Sequence, residues 1–184
     1  MRSTPGYSIV AVASALAAMV AAATPAATPS GSVGTSATVQ NLMDARVDPA
    51  ADALWDAVAF IASTQGEEDR RPRTPAEWAA VRKNAIALIK AAADLGLPGR
   101  RVSALATSPG PGELDASEIE RRIGADPTAF ARRARALKSA ARTALATIDA
   151  KDADALMNAG GDIDAACEAC HVVYWYPQQW QSRK

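Results

Sequence analysis

Apolar residues recur at helical spacing in four stretches of the chain. In the first stretch, steps of three or four residues lead from Val39 to Ile61, which is the spacing of one helix face. Three further stripes with the same spacing begin at Trp78, Phe130 and Leu156. No stretch ahead of these stripes shows the alternation of a half-buried strand. The pattern therefore predicts four helices and no strands.

Capping signals predict where these helices begin. Residues 74–77, Thr-Pro-Ala-Glu, form a capping box with proline in the first turn, and Asp126-Pro127 starts the third helix similarly. Asp152 is the predicted N-cap of the fourth helix, which Pro177 ends. Asp48-Pro49 has the same form inside the first stripe, yet the stripe stays in phase across it. We therefore expect one helix kinked at Pro49, or two short collinear pieces.

The connections between the helices differ in length. Residues 65–73 form a short polar loop, whereas residues 96–125 form a long connection with a short helix from Ser117 to Ile123. Gly160-Gly161 should weaken or bend the fourth helix. Because short connections imply antiparallel neighbours, the predicted fold is all-α, an antiparallel up-down-up-down four-helix bundle.

The N-terminus predicts export. Residues 1–23 carry Arg2 and then an apolar run that ends in small residues, which indicates a secretory signal peptide. The alternative is an uncleaved anchor, for which the run is short. Residues 24–36, rich in Thr, Pro, Gly and Ser, indicate a disordered leader, and residues 37–184 form the predicted domain. The chain has 20 basic and 20 acidic residues, a balance that argues against a nucleic-acid partner.

The chemistry of the chain is concentrated in five residues. Cys167, Cys170 and His171 include both cysteines and the only histidine, in the order Cys-x-x-Cys-His. This is the attachment signature of c-type haem, in which two thiols bond the haem and the imidazole ligates its iron. On a helix, residues three apart share one face, so both sulfurs reach one porphyrin edge. The alternatives are a structural disulfide or a redox-active dithiol, which usually follows a strand in a βαβ unit.

The second axial ligand of the iron follows by elimination. No other histidine exists, and Met1 and Met19 leave with the signal peptide. Met157 lies fourteen residues before His171 on the same helix, about 21 Å away along the axis. Met43 is the remaining methionine, on the inward stripe at the same predicted end of the bundle. Met43 is therefore the predicted ligand, and the alternatives are a core residue or an open sixth site.

The haem propionates need cationic or hydrogen-bonding partners. Arg100, Arg101 and Arg132 lie near the predicted haem end, and the sequence does not choose among them. The aromatic run 174–176 follows His171 within a turn and is expected to shield the haem. Trp55, offset from the main stripe, is expected to pack in the core.

A helical bundle with Cys-x-x-Cys-His on its last helix resembles the class II c-type cytochromes, the cytochrome c prime family. The resemblance covers residues 36–177, and its specific part is the motif from Cys167 to His171. It implies one covalent haem with His171 as the proximal ligand. Members are either five-coordinate and bind gases, or six-coordinate with a methionine of the first helix as the sixth ligand, a place similar to that of Met43. It also implies dimers through helices one and two.

Two functions remain open at this stage. The first is a periplasmic one-electron carrier with His171 and Met43 as ligands; the second is a five-coordinate protein that binds nitric oxide or carbon monoxide. A thiol-disulfide enzyme without haem is a weaker third, and peroxide chemistry lacks a distal histidine, so no enzyme activity is expected. We expect redox partner proteins in the periplasm, no membrane attachment after signal cleavage, and either a monomer or a homodimer.

Overall fold

Helices make up most of the part of the chain that the computed structural model describes, residues 37–105 and 108–177. The predicted signal peptide (residues 1–23) and leader (24–36) lie outside the described residues. The elements in chain order are α1 (Val39–Leu42), a π-helical turn (Met43–Val47), α2 (Asp48–Ala57), β1 (Ala59–Ser63), β2 (Gly66–Arg70), α3 (Pro75–Leu95), α4 (Ala116–Ala125), α5 (Pro127–Asp149) and α6 (Ala153–Tyr174).

Side-chain caps begin α3, α5 and α6 where the sequence predicts them. The hydroxyl of Thr74 accepts from the Glu77 N–H at 3.2 Å, and the Glu77 carboxylate accepts from the Thr74 N–H at 2.8 Å. Asp126 and Asp152 each accept from the N–H three residues on, at 2.8 and 2.9 Å. These bonds satisfy N–H groups that a helix start leaves unpaired. The three predicted starts are confirmed.

The first helical segment is continuous through Pro49. Its N-cap is Thr38, whose hydroxyl accepts from the Asn41 N–H at 3.1 Å. The prediction of an N-cap at Asp48 is wrong, because Asp48 has helical torsions and its N–H bonds the carbonyl of Met43. The chain accommodates the proline with a π-helical turn, Met43–Val47, directly ahead of it.

A β-hairpin replaces the end of the predicted first helix and the polar loop after it. The prediction of no strands is wrong here: α2 ends at Ala57, and β1 pairs antiparallel with β2. Val58, at φ −138° and ψ 84°, leaves the helical region and turns the chain into β1. Gly66 has a positive φ of 130°, which glycine adopts at little cost, and it follows the two-residue turn. Val58 and Ile61, the last two residues of the predicted stripe, are β-branched and suit a strand as well as a helix, so the pattern was ambiguous.

The helices pack around an alanine-rich core. α3 lies between α2 and α5, and α6 contacts α5 and α2, so the four segments surround common buried side chains. Trp55 is only half-buried, and its indole N–H donates to the Gly160 carbonyl at 3.1 Å. α6 runs unbroken through Gly160-Gly161, so the expected weak point does not end the helix. Four alanines of this core have no exposed surface: Ala85, Ala91, Ala141 and Ala144.

A second, smaller cluster forms where other helix ends meet. It joins Leu42 of α1, Leu95 at the end of α3, Phe130 at the start of α5, and Cys170 near the end of α6. This is the end of the bundle at which the sequence places Met43 and His171. α4 and its flanking loops cover this end, and the Leu114 N–H donates to the carbonyl of residue 175 at 2.7 Å. Within the described residues, no helix is both long enough and apolar enough to cross a membrane.

Candidate cofactor site

The last two turns of α6 carry Cys167, Cys170 and His171. Both cysteines are free thiols; Cys170 is buried and Cys167 is half-buried. The helix ends directly after them, since the N–H groups of Trp175 and Tyr176 both donate to the His171 carbonyl, at 2.8 and 3.0 Å. Three-residue spacing on a helix places both sulfurs on one face, with His171 on the next position.

This face of α6 borders a cavity of about 530 Å³, called the main cavity below. Its volume lies within the range of small-molecule and cofactor sites. Met43, Cys170 and His171 line it together with side chains of the long connection and α4. The rest of the lining is Val39, Gln40, Asp44, Asp48, Val102, Ser103, Ser108, Pro109, Glu113, Leu114, Ala116, Ile119, Ile123, Phe130, Tyr174 and Trp175.

A small cleft of about 20 Å³ adjoins the main cavity. The cleft and the main cavity share four lining residues: Met43, Asp48, Cys170 and His171. Cys167 lines the cleft but not the main cavity. The two thiols therefore border one region, with Cys170 at the boundary between its larger and smaller parts.

A still larger space lies elsewhere. It is an open groove of about 670 Å³ between the first helical segment and α3, lined in part by Pro49, Arg82 and Lys90. Neither thiol nor His171 borders it. The main cavity, where the thiols and the imidazole converge, is thus the candidate site.

Burial controls the ionisation of the two thiols. It raises the pKa of Cys167 to about 11, with a further rise from the negative charges of Asp164 and Asp48. Burial also raises the pKa of Cys170 to about 11, against a lowering by the positive charge of Arg133. Both thiols are therefore protonated at neutral pH.

The imidazole is held in its neutral form. Burial lowers the pKa of His171, and the carboxylates of Asp48 and Glu168 only partly oppose this effect. Burial raises the pKa of Asp48 in turn, partly offset by His171. A neutral imidazole has a nitrogen lone pair, which metal ligation requires.

Aromatic side chains surround His171. The Trp175 ring meets the imidazole edge to face, with centroids 5.1 Å apart, and the Tyr176 ring lies 5.8 Å away. The Tyr176 hydroxyl donates to the Glu168 carboxylate. Tyr174 is buried and packs edge to face on Phe130 at 5.2 Å. The aromatic run thus packs the end of α6 against α5 and around the imidazole.

Met43 lines the same cavity from the first helical segment. It is half-buried, packs against both core clusters, and lines both the main cavity and the small cleft. Met157 is 37% exposed and does not border either space. The structure therefore brings Met43 and His171 to one cavity, as the sequence predicts. Iron ligation by Met43 stays a prediction.

The three arginines predicted near the propionates do not line the main cavity. Arg100 donates to the carbonyls of Asp94 and Ala37 at 2.9 and 2.7 Å, and its third nitrogen is buried without a hydrogen-bond partner. Arg101 lies 3.7 Å from the carboxylate of Glu120. Through these contacts, Arg100 and Arg101 hold the start of the long connection in place.

Sequence reasoning missed several residues of the site. Arg133 lines the small cleft beside the thiols, next to the predicted Arg132 in sequence. Asp44, Asp48 and Glu113 bring carboxylates to the main cavity. Arg133 follows the α5 stripe residue Phe130 by three positions, so helical spacing was a usable signal for it. The carboxylates had none, because their placement depends on the π-helical turn and on the path of the connection.

The donor set fits a c-type haem. Two thiols on one helix face, a neutral imidazole beside them and a largely apolar cavity are what covalent attachment and iron ligation require. Within the part of the chain that the structure describes, no three or more His, Cys, Asp or Glu side chains are grouped so that they could hold a free metal ion, whereas a porphyrin supplies its own four nitrogens.

Comparisons with known proteins add little to this geometry. The chain is similar to a solved structure of a mutant cytochrome c prime from Alcaligenes xylosoxidans in complex with nitric oxide, at 21% identity and a TM-score of 0.46. The similarity covers 76% of this chain and 97% of that one. A similarity this low carries no argument about function. No family model and no curated protein matches the chain.

Proposed function

We propose that the protein is a periplasmic c-type cytochrome of the cytochrome c prime kind, which carries single electrons on one covalent haem. Cys167 and Cys170 hold the haem through thioether bonds, His171 is the proximal iron ligand, and Met43 is the distal ligand. Residues 37–177 form an antiparallel four-helix bundle around it. The observation that carries the proposal is that Met43, Cys170 and His171 line one cavity and Cys167 lines the adjoining cleft.

The ionisation of the thiols favours haem attachment over thiol-disulfide exchange. Dithiol enzymes lower the pKa of the attacking cysteine, because the thiolate is the nucleophile. Here the pKa of both cysteines is raised, to about 11, by burial. Thiols that stay protonated at neutral pH are poor nucleophiles for repeated exchange.

The chain itself supplies rigidity and exclusion of water. The haem, when bound, supplies the iron that changes oxidation state. The hydrogen bonds at the helix end hold the carbonyl of His171, and the Trp175 ring packs against its imidazole. The imidazole would therefore move little when the charge of a bound iron changes. Apolar side chains such as Ile119 and Phe130 wall the main cavity. A thioether ligand from Met43 would raise the reduction potential, which suits electron transfer.

The setting follows from the N-terminal residues. Residues 1–23 are proposed to direct export and then to be removed, which places attachment and function in the periplasm. Redox partner proteins there would exchange electrons with the haem, and the chain would transform no substrate of its own. A homodimer remains an alternative to a monomer in this proposal.

One observation favours a second function, reversible binding of nitric oxide or carbon monoxide. Met43 is only half-buried, so the core does not enclose its flexible side chain, which can move aside for a diatomic ligand. In that case the sixth position of the iron is open or displaceable.

Absorption and spin-state spectroscopy of the haem-loaded protein separates the two functions. We expect a low-spin ferric spectrum in the wild type and a high-spin one in Met43→Leu, since leucine matches the volume of methionine without its sulfur. The matched control is Met157→Leu, which changes an exposed methionine on α6 and should keep the low-spin spectrum. A high-spin wild type would contradict ligation by Met43 and support gas binding. A colourless protein, matured under the same conditions, would contradict haem attachment.

A further inference from the structure

The first helical segment contains one π-helical turn, Met43–Val47, between two α-helical pieces. Its defining hydrogen bond runs from the Asp48 N–H to the Met43 carbonyl, five residues back instead of four. Such turns hold one residue more than an α-helical turn and occur often at functional sites. This one begins at the residue proposed as the distal ligand.

The extra residue changes which side chains share a face. In a regular α-helix, positions five apart point about 140° away from each other, at about 100° per residue. Here Leu42 and Val47 are five apart, yet both are buried, Leu42 in the smaller cluster and Val47 in the main one. Met43 and Asp48 are also five apart, and both line the main cavity. The π-helical turn therefore sets the direction in which Met43 points relative to α2.

Pro49 supplies a physical cause for this turn. Proline has no N–H, and in an α-helix its ring clashes with the carbonyl four residues earlier, which here belongs to Ala45. A wider turn directly ahead of Pro49 moves that carbonyl away while the helix continues. Pro49 itself is exposed. It borders the open groove between the first helical segment and α3, and it does not border the main cavity.

We propose that Pro49 is a positioning residue for the distal ligand: it maintains the π-helical turn, and the turn directs the Met43 thioether to the haem iron. The inference rests on the proposed function, in which Met43 ligates iron. Pro49 would act through backbone register, since it does not itself line the main cavity.

The variant Pro49→Ala tests the inference. Alanine restores the missing N–H and removes the ring, so the segment can become a regular α-helix, which alanine favours strongly. Met43 would then rotate by about 100° relative to α2, the angle of one residue. We expect loss of the low-spin ferric spectrum and a lower reduction potential, with haem still covalently bound.

A second variant provides a rescue. Deletion of Ala45, an exposed residue of the turn, removes the extra position. In Pro49→Ala with Ala45 deleted, Met43 lies four positions before Asp48 and returns to the cavity face of a regular helix. We expect this double variant to recover the low-spin spectrum. The matched control is Pro75→Ala, an exposed proline in the first turn of α3, which should leave spectrum and potential unchanged.

The outcomes separate the inference from the proposed function. If Pro49→Ala keeps the low-spin spectrum, or the rescue variant stays high-spin, the positioning role is overturned while ligation by Met43 stands on Met43→Leu. If the wild type is high-spin, ligation by Met43 fails and the positioning role fails with it. A low-spin wild type with a high-spin Pro49→Ala and a low-spin rescue variant supports both.

Discussion

The main core cluster and one end of the bundle are packed differently. In the main cluster, which we call the packed half, Ala85, Leu88, Ala141 and Ile163 have no exposed surface. At the end around Cys170, which we call the site half, helix ends and the long connection enclose a main cavity of about 530 Å³. Protein interiors normally leave few voids larger than a water molecule. The side chains of the packed half fill the space between its helices, whereas the site half leaves a cavity of the size of a cofactor site.

The ionisable groups follow the same division. Among the described residues, the two buried polar ones, Thr38 and Ser103, both lie outside the packed half. The site half holds two thiols, an imidazole and the Asp48 carboxyl, all with a pKa shifted chiefly by burial. Shifted groups that converge on a cavity are a mark of functional sites. The cavity and the shifted pKa values therefore both indicate the site half as the functional region.

Among the substitutions described below, removal of both thiols should have the largest effect, because it abolishes haem attachment in the site half. In Cys167→Ser with Cys170→Ser, no thioether can form, so we expect complete loss of covalent haem and a lower melting temperature, because bound cofactor stabilises the folded state. Haem staining after denaturing electrophoresis measures the attachment. The control Ala169→Ser adds a hydroxyl between the cysteines and should keep haem; covalent haem in the double serine variant would contradict the proposed attachment.

A truncation in each half tests the packing contrast directly. Leu88→Ala removes a side chain with no exposed surface, and we expect a loss of about 2–5 kcal/mol in the free energy of unfolding. Ile119→Ala removes a partly buried side chain at the cavity wall, with an expected loss of about 1 kcal/mol. Urea unfolding of the haem-loaded protein measures both. Equal losses would mean that the halves are packed alike.

Adjacent glycines of α6 offer a finer comparison at one site. A Cβ at Gly160 would lie 3.1 Å from Trp55 Cδ1, whereas one at Gly161 would meet nothing within 4 Å. Gly161→Ala should therefore stabilise the protein by about 1 kcal/mol through helix propensity. Gly160→Ala should destabilise it by about 1–2 kcal/mol, because the indole must shift from the Gly160 carbonyl. Thermal unfolding distinguishes the two signs, and stabilisation by both would show that Trp55 is loosely held.

The sequence allowed prediction where the signals were local. Caps at Thr74, Asp126 and Asp152 identified three helix starts, because each cap bonds an N–H within its own first turn. The hairpin was missed, because Val58 and Ile61 continue the helical spacing of the first stripe, and only the partner strand decides between the two structures.

The candidate site divides in the same way. Cys167, Cys170 and His171 lie within five residues, so the sequence shows their motif directly, and Met43 followed by elimination. The cavity carboxylates Asp48 and Glu113 were not predicted. Their positions depend on a π-helical turn at a proline and on a loop that crosses to another helix, and neither is encoded in local periodicity.

The cover of the site half should respond to pH more than the apolar core does. α4 has no buried residue, and hydrogen bonds from Arg121 and Arg122 lower the pKa of its Glu118 to about 2. Because the folded-state pKa lies below the ordinary value of 4.5, this contribution to stability is present above pH 4.5 and is lost as the pH falls towards 2. The side chains of Glu118, Arg121 and Arg122 are 28%, 69% and 34% exposed, so the effect is small and weakens with added salt.

Carbon-13 NMR titration of the Glu118 carboxyl measures that pKa directly, and amide exchange across α4 measures the effect on the cover. Protection in α4 should fall between pH 4.5 and 2 in the wild type. In Glu118→Gln, the part of this fall that depends on Glu118 should be absent, while the amides around Leu88 should keep the same protection in both proteins. A Glu118 carboxyl that titrates at its ordinary pKa would show that Arg121 and Arg122 do not hold it in solution.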